Sequence, residues 1–327
     1  MSNKILIIDA MNMFVRNYSA NPSLDAYGAP FGGTKGFLMS LQKLTKEINP
    51  SKIIVVWDGS GGSKRRRALV KEYKGGRKPI RLNRAYANLS PDEEIENRGW
   101  QVLRTIEYLN EMPVIQLVID DVEADDVIAY VSQMPTFSDD IKIIVSMDKD
   151  FYQLCDEKTL VLRPIKNEYL NEKRIVEQFG IHPYNFALAR AIDGDKSDNL
   201  SGVKGAGLKT IAKRFPMMAT KKIVTTDALR KICLDDETDT KIYKDILREI
   251  KKVKLNYKIM QLYTPYISPR NSSHIRETIN NFEPSFNRTN VHKQMLTDGI
   301  SDYNWNVLFR KFRSLIDDHK NYLLQPG

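Results

Sequence analysis

The chain has 327 residues, with 50 Lys and Arg against 41 Asp and Glu for a formal net charge of +9, and 42% of it is hydrophobic. These values exclude a disordered tail, and no apolar run approaches the ~20 residues of a membrane-spanning helix, so about two globular domains are expected. Cys155 and Cys233 are the only cysteines, which excludes a disulfide framework or a thiolate zinc site and predicts a reduced, cytoplasmic protein. The opening MSNKILIIDA is too short and too acidic at its end for a signal peptide.

In chain order, Lys4 to Ile8 is a β-branched apolar run that meets Asp9. Gly33 to Ile48 carries Phe37, Leu41, Leu44 and Ile48 at helical spacing, and Lys52 to Trp57 is a second apolar run, ending at Asp58. From Gly59 to about Arg98 the sequence reads as an insertion. Val114 to Ile119 runs into Asp120 and Asp121, Val122 to Met134 has helical spacing, and Ile141 to Met147 ends at Asp148. Short, wholly apolar strands alternating with helices predict an α/β fold with a mostly parallel central sheet flanked by helices. Ligands bind beyond the carboxyl ends of such strands, so four strands ending in Asp steer carboxylates to one rim. After Phe179 the apolar spacing is helical, which predicts an α/β domain over 1–180 and a helical domain over 181–327.

Ten basic residues and one acid lie between Gly59 and Asn88, a surplus equal to the net charge of the whole chain. A block of this kind, including Arg65, Arg66, Arg67, Lys74 and Arg77, either contacts a polyanion or forms a solvated face. Glu123, Asp125 and Asp126 stand with Asp120 and Asp121 within seven residues, more acid than helix capping explains. With Asp9, Asp58, Asp148, Asp150, Asp195 and Asp198 they form a set that hard divalent cations would make tolerable. Carboxylates without His or Cys suit Mg²⁺ or Mn²⁺, and two such ions serve in-line phosphoryl displacement. Acidic site and basic block together predict phosphodiester hydrolysis.

GVKGAGLKT has Leu208 where a P-loop requires Lys, so it is not read as a nucleotide site. Gly202, Gly205 and Gly207 would let backbone N–H groups approach a nucleic-acid phosphate, with Lys204 and Lys209 adding charge; a plain connection between packed helices is the alternative.

ILIIDAMN, VVWDG, EYKGGRK, VEADD, SMDKDF and GDKSDNLSGVKGAG occur in an order that resembles the 5′-nuclease family, which includes flap endonucleases, bacteriophage 5′-to-3′ exonucleases and the 5′-nuclease domain of bacterial DNA polymerase I. The resemblance spans residues 4 to about 215. It implies a PIN-like sheet, a helical arch, and a helix-turn-helix duplex-binding element at Gly202 to Gly207, often with a K⁺ ion. It also implies two Mg²⁺ or Mn²⁺ ions held by Asp9, Asp58, Glu123, Asp125, Asp126, Asp148, Asp150, Asp195 and Asp198. Lys74 and Arg77 would reach the scissile phosphate, Asp125 and Asp148 would serve catalysis, and Tyr73 would stand at the arch base. The implied function is a structure-selective 5′-to-3′ exonuclease and flap endonuclease that acts on 5′-flap DNA and RNA/DNA primers in phage DNA replication. Host cytoplasm, no membrane, and a clamp or single-strand-binding protein as partner go with it. A PIN-type endoribonuclease and a non-catalytic DNA-binding protein are the competing readings.

Overall fold

The four apolar runs form strands β1 (Lys4–Asp9), β2 (Lys52–Trp57), β3 (Ile115–Val118) and β4 (Ile141–Val145) in this computed structural model, which describes residues 3–86, 89–236 and 240–323. β4 is shorter than its apolar run: Ser146, just past its end, keeps one backbone bond to Leu162 O at 3.3 Å, and its hydroxyl donates to Asp9. Two strands escape the sequence reading, β5 (Thr159–Arg163) and β6 (Glu168–Leu170), which mix polar and apolar residues at an edge. The sheet order is β3-β2-β1-β4-β5-β6, parallel throughout except for antiparallel β6.

Both faces of the sheet are covered, which is why the central strands are apolar at every position. Leu6, Ile8, Ile53 and Val55 face α1 (Ala10–Ala20), α2 (Gly32–Ile48) and α4 (Pro91–Asn110). Ile5, Ile7, Ile54 and Val56 face α5 (Ala124–Ser132). Among the described residues, the later helices pack onto these same two layers. α6 (Glu172–Phe179), α7 (Pro183–Asp193), α8 (Leu208–Arg214), α9 (Thr226–Leu234), α10 (Lys241–Arg248), α11 (Ile250–Met260) and α12 (Pro269–Asn280) extend the α5 side. α13 (Arg288–Thr297) and α14 (Asn306–Leu323) return to the α2 side.

Among the described residues the predicted arch is not one continuous helix. Between Asp58 and α4, the described residues contain only α3 (Lys64–Leu69) and a 3-10 turn at Arg84–Tyr86. The reason is local: Lys74 and Gly76 have positive φ, and Pro79 follows closely. Ala87 and Asn88, inside this segment, lie outside the described residues, as do 1–2, 237–239 and 324–327 of the predicted domain spans. α4 begins at Pro91, where Ser90 and Glu93 form a reciprocal capping box, so the expected insertion limit at 98 falls inside a helix that packs on α2. In place of a simple turn, α7 and α8 are joined by a hairpin, β7 (Gly194–Asp195) with β8 (Leu200–Ser201), and a glycine loop. No helix among the described residues is long and apolar enough to cross a membrane.

Candidate active site

The chain runs outward from β1 through β2 to β3 and then crosses back to β4 on the other side of β1. That reversal opens a crevice at the carboxyl ends of β1 and β4. Asp9 closes β1 and caps α1, its Oδ1 accepting from Asn12 N at 3.1 Å and its Oδ2 from Ser146 Oγ at 2.9 Å. Asp148, just past β4, caps the 3-10 turn Lys149–Leu154 through Asp150 N at 2.8 Å. Asp58, just past β2, accepts from the first amide of α5, Ala124 N, at 3.0 Å, and so ties that helix to the rim.

Burial pushes the Asp9 carboxyl up to about 6, with Asp58 adding and Asn12, Ser146 and Lys74 opposing. Burial, then the charges of Asp150 and Asp9, raise Asp148 to about 7. Asp125 is pushed well above the ordinary carboxylate range by burial and by Asp148, Asp9 and Glu123, against Lys74; it accepts no hydrogen bond from a described residue. Asp9, Asp125 and Asp148 thus repel one another in one crevice.

Glu123 and Asp126, three residues apart on one side of α5, are bound differently. Arg66 Nη1 lies 2.7 Å from Glu123 Oε2 and 2.8 Å from Asp126 Oδ2. Tyr73 OH donates to Glu123 Oε2 at 3.1 Å, Lys74 Nζ is 2.9 Å from Glu123 Oε1, and Tyr266 N donates to Asp126 Oδ1 at 2.9 Å. Burial works against the Lys74 ammonium, but Asp125 and Glu123 outweigh it and hold the group above its usual value.

A third set faces α7. Arg190 Nε is 3.0 Å from Asp150 Oδ1, and its Nη2 pairs with Asp195. Burial raises Asp150 despite Arg190, whereas Ser197 and Arg190 overcome burial at Asp195 and hold it low. Asp198 pairs with Arg77, and its carbonyl accepts from Lys74 N at 2.9 Å. The basic segment is therefore folded down onto the carboxylates. Asp125, Asp150 and Asp198 line one narrow cleft with Arg66 and Tyr73.

Of the other predicted residues, Arg65 lies over the Tyr266 ring, Arg67 is exposed, and Lys204 and Lys209 are exposed along the glycine loop. Gly202 is a packing residue, since a Cβ there would stand 2.0 Å from Asp193 O. Gly205 has φ +80 and open space around it, and Gly207 caps α8. Asp120 and Asp121 sit at the outer edge, Asp121 paired with Lys64 at 2.7 Å. Sequence reasoning missed Arg190, whose signal is a single cation in the otherwise apolar run FALARAI, and Ser146, which carries none. Among the described residues no three His, Cys, Asp or Glu side chains close a preformed cation cage.

A mostly parallel sheet whose strand ends gather carboxylates under a basic segment is the architecture of a nuclease. Residues 4–180 match the family profile described as 5′-3′ exonuclease, N-terminal resolvase-like domain, and the chain belongs to that 5′-3′ exonuclease and flap endonuclease family. It is 29% identical over 270 residues to the 5′-3′ exonuclease of Aquifex aeolicus, covering 80% of this chain and 82% of the relative. It is 27% identical over 262 residues to the flap endonuclease Xni of Shewanella oneidensis, covering 80% and 90%. The bacteriophage T5 D15 flap endonuclease, solved as a pseudo-enzyme–product complex with DNA and metal ions, shares the fold with a TM-score of 0.63 at 18% identity, over 94% of this chain and 99% of that one.

Proposed function

We propose that the chain is a structure-selective 5′-to-3′ exonuclease and flap endonuclease of phage DNA replication that hydrolyses 5′-flap DNA and RNA/DNA primers with divalent cations. The observation that carries this reading is the trio Asp9, Asp125 and Asp148, gathered beyond the strand ends with burial and the charge of neighbouring carboxylates raising all three. An all-oxygen donor set suits Mg²⁺ or Mn²⁺, and Mg²⁺ needs only one or two direct carboxylates beside water, so a closed cage is not required. Asp9, Asp125 and Asp148 would hold the ions, with Asp58 and Asp150 at their edges. Glu123 and Asp126 already have Arg66 as counter-charge, and Asp195 and Asp198 have Arg190 and Arg77, so these four would act through the groups they position; Asp150 shares Arg190 but stays raised despite it. When bound, two such ions supply an activated water and stabilise a leaving oxygen.

Lys74, whose ammonium is held by Asp125 and lies 2.9 Å from Glu123 Oε1, would neutralise charge on the transferred phosphoryl group. Arg77, half exposed on Asp198, would do the same from the other side. Lys204 and Lys209, beside Gly205, would hold the duplex backbone without reading sequence; a K⁺ ion at that loop is part of the proposal. Incubating a 5′-flap duplex with Mg²⁺ should release the flap or mononucleotides, and single-stranded RNA should be a poor substrate. Asp125→Asn should reduce cleavage at least 100-fold, on the order of the loss of one electrostatic partner at an active site; full activity would remove the site assignment.

A further inference from the structure

A groove of about 1350 Å³ lies at the open edge of the sheet, beside the end of β3 and the loop after it, and the proposed cleavage makes no use of it. It exceeds the ~300–1,000 Å³ of small-molecule clefts. Arg66, held by Glu123 and Asp126, stands between the groove and the carboxylate crevice, and the two clefts that Arg66 lines hold only about 10 Å³ each. The groove is therefore a surface of its own.

One wall is a polypeptide edge. β3 pairs with β2, and among the described residues no other backbone group bonds to Ile115–Val118. An edge strand presents unpaired N–H and C=O groups on its outer side, which a second extended chain can pair. Val118, the last residue of β3, lines the groove and is 58% exposed.

The facing wall is positive. Lys258 at the end of α11 and Arg270 at the start of α12 line it, and neither is paired with a carboxylate among the described residues. The first turn of α12 opens on the groove from Ser268 to Asn271 and adds the positive end of its dipole. Of the two acids present, Asp121 is neutralised by Lys64 and only Asp120 is left over. A nucleic-acid strand would meet this charge, but it cannot pair a β edge in register. The Tyr266 ring, where a base would stack, already carries the Arg65 guanidinium.

We infer that the groove docks an acidic, extended segment of a partner protein, laid along the end of β3. Its carboxylates would face Lys258, Arg270 and the start of α12, and its apolar side chains would rest on Val118 and Ile267, which also lines the groove. In this mode main-chain bonds give affinity and the walls give specificity. The inference goes beyond the nuclease reading and does not depend on it.

The test uses the full chain and the fluorescence anisotropy, at low salt, of a labelled peptide of about ten residues that alternates Glu and Val. The wild-type protein should bind it saturably. Lys258→Glu with Arg270→Glu should weaken binding at least roughly tenfold, since two attractions become repulsions, and should take up the matching peptide with Lys in place of Glu. That uptake separates charge reading from a folding defect. Successive N–H groups of a strand point to opposite sides, so methylating the Glu nitrogens and methylating the Val nitrogens should differ, one weakening binding roughly tenfold and the other leaving it intact. No saturable binding by the wild type, undiminished binding by the charge-reversed protein, or equal effects of the two methylations overturns the inference. Displacement by a single-stranded oligonucleotide of equal charge as effective as that by unlabelled peptide also overturns it, since that marks a general polyanion surface. Failure of the nuclease reading shows separately, as absent Mg²⁺-dependent cleavage by the wild type.

Discussion

Asp9 and Asp148 are ordinary carboxylates in the unfolded chain and poor ones in the folded protein. Their carboxyls rise from 3.8 to about 6 and about 7, chiefly by burial. The folded state therefore holds protons more tightly across this window. The contribution of these two groups to the stability of the metal-free protein is fully present below about pH 4 and is lost as pH rises through 6 to 7, by up to about 3 kcal/mol for the Asp9 shift alone. Asp195, held low, acts in the opposite sense and only in the acid range, where its stabilisation is lost as pH falls. In EDTA the melting temperature should thus fall from pH 5 to pH 8. Asp9→Asn should flatten that fall and raise the pH 8 melting temperature, and added Mg²⁺ should do the same for the wild type. An unchanged slope in Asp9→Asn would show that burial of this charge is already compensated. At Lys74, truncation removes the cation nearest Asp125 and Glu123. Lys74→Ala should lower kcat about 10²–10³-fold, with a smaller change in Kd for flap DNA; a pure affinity loss would contradict its assigned role.

The elements show which parts of the site could be read and which could not. EADD is legible as a carboxylate cluster, and the shared side of Glu123 and Asp126 follows from helical spacing. What spacing cannot say is that the shared side meets Arg66 while Asp125 turns into the crevice. The run Arg65, Arg66 and Arg67 looks uniform in sequence, but on α3 each step turns about 100°, so one faces the groove, one the carboxylates and one solvent. Arg190 was hidden because a buried cation is recognised only by partners distant in sequence, here Asp150 on the other side of the crevice. The glycine loop suits phosphate approach or a plain packed connection. Gly202 lies where the loop crosses the end of α7, and its substitution tests whether packing alone requires glycine there. Gly202→Ala places a Cβ into Asp193 O, which should cost about 1–3 kcal/mol of stability by overpacking. Chemical denaturation should report that loss even without DNA, whereas a residue needed only for phosphate approach would leave stability unchanged.

At the scale of the molecule, the change near residue 180 marks a change in secondary structure and not an end to the core. The strand pattern was legible because the sheet is buried on both faces, but what buries it comes from distant sequence. Side chains of the first half are joined to the last third. Lys52 Nζ donates to Ile279 O at 3.3 Å, Gln153 accepts from Leu262 N at 2.6 Å, and Gln42 accepts from Leu308 N at 3.1 Å while donating to Asn304 O at 3.0 Å. Arg104 and Tyr108 of α4 converge on the buried Asp298, at 2.7 and 2.6 Å. A chain ended after Gly180 would lose α11 and α12 from one face of the sheet and α13 and α14 from the other. It would also take from Gln42 its partners Asn304 and Leu308, and from Gln153 its partners Met260 and Leu262, leaving Gln153 only the Asp150 carbonyl, each lost bond being worth about 0.5–1.5 kcal/mol net. Against the 5–15 kcal/mol that holds a typical domain folded, these losses together with the uncovered apolar surface are decisive. Residues 1–180 alone should therefore show no cooperative heat-absorption peak in calorimetry and should bind a hydrophobic dye, whereas the full chain unfolds in a single transition; a sharp transition for the truncated chain would restore an independent amino-terminal domain.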